Sequence, residues 1–178
     1  TEISNIMIHM RELAIQGASD TIGDKERQFL HQEAKSLITE VDRIANSTNF
    51  NGTPLLNGQA AKGRLEFQVG TSAKEEDRIY FDTNENDVRA EALGASGIEM
   101  DTIDNARNSL EKVDEGLSRV LAARARLGAV QNKMASTVNN IGVMKENLSQ
   151  ARSRIADADI ASETSELTRA NILKSAGI

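Results

Sequence analysis

Apolar residues recur at helical spacing along much of this 178-residue chain. Ile3, Ile6, Met10 and Leu13 fall three and four apart, with Met7 and Ala14 beside them, and predict an amphipathic helix that ends at Gly17. Thr1 and Glu2 enter this pattern without a start signal, as though the chain began inside a longer helix. A second helix is expected over about 22–46, opened by Thr21 and Asp24 as a capping box. Its apolar face is Leu30, Ala34, Leu37, Val41 and Ile44, with Phe29, Ile38 and Ala45 alongside. A repeat of about 3.5 residues suits a seam against other helices. Asn51-Gly52, Pro54 and Asn57-Gly58 then mark turns.

The pattern changes over 64–98. Arg64 to Val69 alternates polar and apolar, as a half-buried strand does, and Arg78 to Phe81 is a second, shorter strand. Together they predict a small β patch packed on helices. From Met100 to Arg152 there is no proline, and a heptad position reads Ala106, Val113, Val120, Leu127, Met134, Ile141, Leu148. The partner position (Ile103, Leu110, Leu117, Arg124, Gln131, Val138, Lys145) fails midway, the drift expected of a nearly straight helix. Such a helix cannot bury its stripe alone, and Glu115 and Arg119 are placed to form an i,i+4 pair on its solvated side. Arg154 to Asp159 is polar and helix-weakening, and a last helix over about 161–176 carries Leu167, Ala170, Ile172, Leu173 and Ala176. Both ends of the chain read as truncated. The fold class is therefore mainly α: an elongated, rod-like bundle of long helices with a small β-hairpin patch.

Composition narrows the function classes. Cysteine and tryptophan are absent and aromatic residues make up 3%, which suits neither a disulfide framework nor the aromatic-lined pocket of a typical enzyme. A net charge of −6 with interspersed signs argues against nucleic acid as the main partner. No apolar run reaches membrane-spanning length, and the N-terminus lacks the pattern of a signal peptide. His9 and His31 are the only histidines, and His31-Gln32-Glu33 lacks the spacing of a zinc helix. The run Asp82 to Asp87 begins like a calcium loop, but Asp87 stands where glycine is needed and Leu93 where the bidentate glutamate is needed, so a solvated turn is expected. Asp157 and Asp159 form a carboxylate pair without a convergent partner. No catalytic residue, metal or cofactor is expected.

Four stretches together resemble bacterial flagellin: MRELAIQ (Met10 to Gln16), EVDRIANSTNFNGTPLLNG (Glu40 to Gly58), FQVG (Phe67 to Gly70), and the long C-terminal run from Leu127 to Gly177. The resemblance implies an inner core domain over 1–152 (helices about 1–17, 22–46 and 100–152, β patch about 64–98), with 153–178 a linker and the start of the C-terminal helix. It implies that outer domains are missing between the β patch and the long helix, and that the N-terminal helix and last C-terminal turns are missing too. In flagellins those termini pair as coiled coils lining the filament channel, and the N-terminal region carries the type III export signal. The implied function is a secreted structural subunit of the flagellar filament, serving motility. The alternatives are a hook–filament junction protein of the same superfamily and, in a different class, a coiled-coil binding module.

The resemblance also supplies candidate contacts. Met10 to Leu13 matches a segment used for subunit packing and recognised in many flagellins by Toll-like receptor 5. Carried over residue by residue, the candidates are His9, Arg11, Leu13, Glu33 and Lys133. His9 and Lys133 stand where strongly recognised flagellins carry arginine, whose planar fork neither reproduces. The plainer reading is a solvated helix face used in packing. The segment 161–178, with Ser165, Leu167, Ile172 and Leu173, resembles the part wrapped by a flagellin-specific secretion chaperone.

Overall fold

The computed structural model describes residues 1–61, 63–156 and 160–177, without the side chains of Ala156, Ile160 and Ala161. Two compact units divide it, Thr1–Lys133 and Met134–Ile178.

In the first unit, α1 (Glu2–Gly17) packs on α2 (Asp24–Ser47). The face of α1 that is buried carries Ile3, Met7, Met10, Leu13 and Ala14, so the stripe centres on Met7 and Ile6 is only half-buried. Gly17 closes α1 without a positive φ. Its small size serves packing, because a Cβ there would lie 3.2 Å from the Ala106 Cβ. The expected capping box does not form. Helix α2 starts at Asp24 with Gly23 as N-cap, and the Thr21 hydroxyl bonds Ser19 Oγ at 2.7 Å instead. Arg27 dictates this arrangement. Its side chain, 5% exposed, donates from Nε to Gly17 O (3.0 Å) and from Nη2 to Ser19 O (2.9 Å), drawing the first turn of α2 onto the end of α1. Ala34, Val41 and Ala45 are buried as expected, whereas Phe29 lies on the solvent side at 74% exposure.

Two small sheets follow. Strands β1 (Asn49–Phe50) and β2 (Thr53–Pro54) form a tight antiparallel hairpin where the Asn-Gly and proline signals predict only a turn. Asn51 (φ 50°) and Gly52 (φ 77°) occupy its two central positions, and two positive φ angles define the type I′ turn that Asn-Gly favours. Strands β3 (Arg64–Gln68) and β4 (Arg78–Asp82) pair antiparallel with Leu65 opposite Phe81 and Phe67 opposite Ile79. The Arg64 guanidinium stacks 3.7 Å from the Tyr80 ring centroid. Asp82 Oδ1 accepts from Asn84 N at 2.8 Å, so the stretch with calcium-loop character is a self-satisfied turn.

The segment after β4 contributes more core than the strands. Val88, Ala90, Leu93, Ala95, Ile98 and Met100 are all buried, around the single helical turn α3 (Ala90–Leu93). Polar side chains from α2 and from the long helix that follows fasten its backbone. Asp42 Oδ1 accepts from Ala90 N (2.7 Å), His31 Nδ1 from Met100 N (3.2 Å), and Ser109 Oγ both accepts from Glu99 N and donates to Glu99 O. Arg119, expected to pair with Glu115, donates to Ala92 O at 2.6 Å. A backbone carbonyl held in place by the packed segment competes well for a guanidinium against an exposed i,i+4 carboxylate.

Helix α4 (Ile103–Ala156) runs from the first unit into the second and continues past the expected end at 152. Ala106, Val113, Gly116, Val120 and Ala123 bury its face in the first unit. Gly116 is a contact requirement, since a Cβ there would lie 2.5 Å from the Met7 methyl and 3.1 Å from Leu93 O. Gly116→Ala is expected to lose stability on balance. Overpacking costs about 1–3 kcal/mol against about 1 kcal/mol of helix propensity gained. A raised thermal midpoint would show that Met7 swings aside at no cost.

The second unit holds the remainder of α4 and α5 (Ile160–Ala176). None of its described side chains is buried. Asp157 and Asp159 lie outside the described residues.

Candidate interaction surfaces

The five residues carried over as packing or receptor contacts do not form one patch. His9 and Glu33 do meet. His9 Nε2 lies 2.9 Å from Glu33 Oε1, joining α1 to α2, and Nδ1 lies 3.3 Å from Glu12 Oε2. Hydrogen bonds to Glu33 and then to Glu12 outweigh slight desolvation and raise the imidazole above its ordinary value of 6.5. Arg11 is committed elsewhere, donating from Nε to Asp114 Oδ1 at 2.7 Å and so tying α1 to α4. Leu13 faces the core at 5% exposure. Lys133 is exposed on α4 nineteen residues beyond Asp114, about 28 Å along the helix.

The His9 arrangement has a pH signature. A folded-state pKa above the unfolded one gives a contribution fully present below about pH 6.5 and lost as pH rises through the folded value. Wild-type protein is therefore expected to exceed His9→Gln in thermal midpoint near pH 6 by more than at pH 8.5 (about two units above the reference value). Parallel curves would show that the pair contributes nothing through protonation.

The chaperone candidates lie on α5. Leu167, Ile172 and Leu173 are each more than half exposed, Leu173 at 66%, and Ser165 lies on the same helix in an exposed position. The lower part of α4 continues this character with exposed Val138, Ile141, Val143, Met144 and Leu148. Exposed apolar side chains gathered on a helix in this way mark an interaction face rather than a pocket. Among the described residues there is no cluster of three or more His, Cys, Asp or Glu able to hold a metal ion, and no helix long and apolar enough to cross a membrane.

Comparison with known proteins shows the family. The bacterial flagellin N-terminal helical region matches residues 1–61, and the bacterial flagellin C-terminal helical region matches residues 98–178. The chain belongs to the bacterial flagellin family. A flagellin of Treponema pallidum (strain Nichols) is 36% identical over 190 residues, covering 99% of this chain and 65% of that protein. The flagellin of Halalkalibacterium halodurans is 37% identical, covering 98% of this chain and 63% of its own length. That of Bacillus subtilis (strain 168) is 36% identical, covering 99% and 67%. The chain thus spans about two thirds or slightly less of these relatives. The crystal structure of Bacillus cereus flagellin superposes with a TM-score of 0.68 at 28% identity, covering 84% of this chain and 83% of that one.

Within this flagellin chain, the apolar faces of lower α4 and α5 both fall inside the C-terminal helical match, and the His9–Glu33 bridge falls inside the N-terminal one. Several fastening residues escaped sequence reading. Arg27 had a usable signal, since it shares a seven-residue register with buried Ala34 and Val41. His31 and Asp42 had none, because each acts on a backbone group far away in sequence, and Ser109 reaches back over a loop to Glu99 without any periodic signal.

Proposed function

We propose that this chain is a structural subunit of the bacterial flagellar filament, acting in motility by self-association and not by catalysis. The observation that carries this reading is the open apolar surface of lower α4 and α5, in a chain whose two ends match the two flagellin helical regions. Heterologous contacts of such surfaces between copies generate an open helical polymer. The relatives named flagellin, together with a flagellar filament core protein of Treponema maltophilum, support this over the hook–filament junction alternative. The test is seeded polymerisation of the full-length protein, viewed by electron microscopy, with complementation of a flagellin-null strain. Filaments with a central channel and restored swimming are expected. Protein that stays monomeric with seeds present would overturn the proposal.

On this reading, residues 1–152 form the inner core domain and 153–178 the linker and start of the C-terminal helix. The protein is exported unfolded by the flagellar type III system and resides outside the cell. Before export, a flagellin-specific chaperone covers α5 through Leu167, Ile172 and Leu173, with Ser165 at the edge, because an exposed amphipathic helix needs shielding. Unchanged chaperone affinity after deletion of 161–178 would exclude this. Receptor contact through His9, Arg11, Glu33 and Lys133, with Leu13 acting only by anchoring α1, is the remaining partner proposal. Absence of any response to full-length protein in a Toll-like receptor 5 reporter assay would exclude that.

A further inference from the structure

The chain contains two Asn-Gly pairs, and the fold treats them in opposite ways. Asn followed by Gly is the dipeptide most open to succinimide chemistry, because glycine has no Cβ to obstruct attack by its own backbone nitrogen. We propose that Asn51 is a site of spontaneous deamidation in the native protein and that Asn57 is protected by the fold.

Asn51 sits at the exposed tip of the β1–β2 hairpin, and nothing lies within 4 Å of a Cβ built on Gly52. A type I′ turn, which the φ of 50° at Asn51 marks, sets ψ of its first central residue at about +30° and keeps the Gly52 nitrogen off the Asn51 Cγ, so reaction runs through the opened hairpin. Little holds it shut. The pair flanking the turn, Phe50 with Thr53, is the hydrogen-bonded one, and the next pair, Asn49 with Pro54, exchanges no bonds in an alternating antiparallel ladder. Beyond it Leu55 N donates to Thr48 O at 3.2 Å, while Thr48 N is already spent on Ile44 O at the end of α2. A two-residue ladder exposed to water opens at low cost.

Asn57 is buried, and both ends of its amide are occupied. Its Nδ2 donates to Asn46 Oδ1 (3.4 Å) and its Oδ1 accepts from Gln59 N (3.0 Å). The Asp87 carboxylate stands close to Gly58, 3.0 Å from the position of a Cβ there. Since Arg89 neutralises that carboxylate at 2.6 Å, the carboxylate protects by crowding the Gly58 backbone and not by its charge.

The step balances with water alone. Gly52 N loses its proton and attacks Asn51 Cγ, the Cγ–Nδ2 bond breaks, and ammonia leaves. Water then opens the cyclic imide at either carbonyl. One product is aspartate, and the other is isoaspartate, with an extra methylene in the backbone and no type I′ turn. No redox change is involved.

The experiment ages the intact chain at mildly alkaline pH, natively and in urea. Fragmentation mass spectrometry separates the two sites, and isoaspartyl methyltransferase labelling detects the rearranged backbone. In urea both sites are expected to react at comparable rates. Natively, conversion is expected at Asn51 and to be suppressed at Asn57 at least tenfold relative to urea (about the effect of 1.4 kcal/mol of protection). No native conversion at Asn51, or a native Asn51-to-Asn57 ratio equal to that in urea, would overturn the proposal.

Discussion

Replacement of Met10 by alanine is expected to lower the unfolding free energy by about 2–5 kcal/mol, measured by urea denaturation. Met10 is wholly buried, among the largest side chains of a core that also relies on Met7, Leu93, Val41, Val113 and Met100. None of those six is aromatic, and the chain has few aromatic residues to spare. Loss of the flexible thioether leaves a void in a core built on packed helices, where collapse is hard. Met10→Leu should cost less than about 1.5 kcal/mol, because volume is nearly kept. Equal losses from the two variants would show that shape and not volume governs the site.

Arg27→Met is expected to cost about 3 kcal/mol, since it keeps the aliphatic stem and removes charged donors from two carbonyls in a buried setting. Gly17 O and Ser19 O would lose their guanidinium partner, and Asp24 would lose its bond from Nη1. The Asp24 contact is nearly fully exposed on the carboxylate side, so little of the loss is assigned to it. Arg27→Lys supplies a point charge without the planar fork and should recover only part of the stability. Hydrogen exchange should speed up over 17–23 in Arg27→Met at matched global stability. Unchanged exchange there would show that the α1–α2 junction is held by other means.

The helical framework was legible because its stripes are long and regular. Ala106, Val113 and Val120 lie where the heptad puts them. What remained hidden involves residues whose role depends on tertiary partners. Phe29 counted as apolar face, yet the crossing of α2 turns it to solvent. Residues 88–100 have no strong period, yet they are buried because side chains from α2 and α4 satisfy their backbone. Of the candidate contacts, the meeting of His9 and Glu33 joins residues 24 apart, a relation no local pattern encodes. Leu13 shows the converse: a helix periodicity marks it as core, whereas the resemblance marked it as contact.

The placing of Tyr80 in β4 has a consequence for the spectroscopist. With no tryptophan in the chain, this one phenol, under the Arg64 guanidinium, supplies the near-ultraviolet emission. A fluorescence melt therefore reports the β3–β4 ribbon, while circular dichroism in the amide band reports the helices. Superimposable curves would mean that ribbon and helices unfold as one cooperative unit, and separated curves would reveal an intermediate that either signal alone would miss.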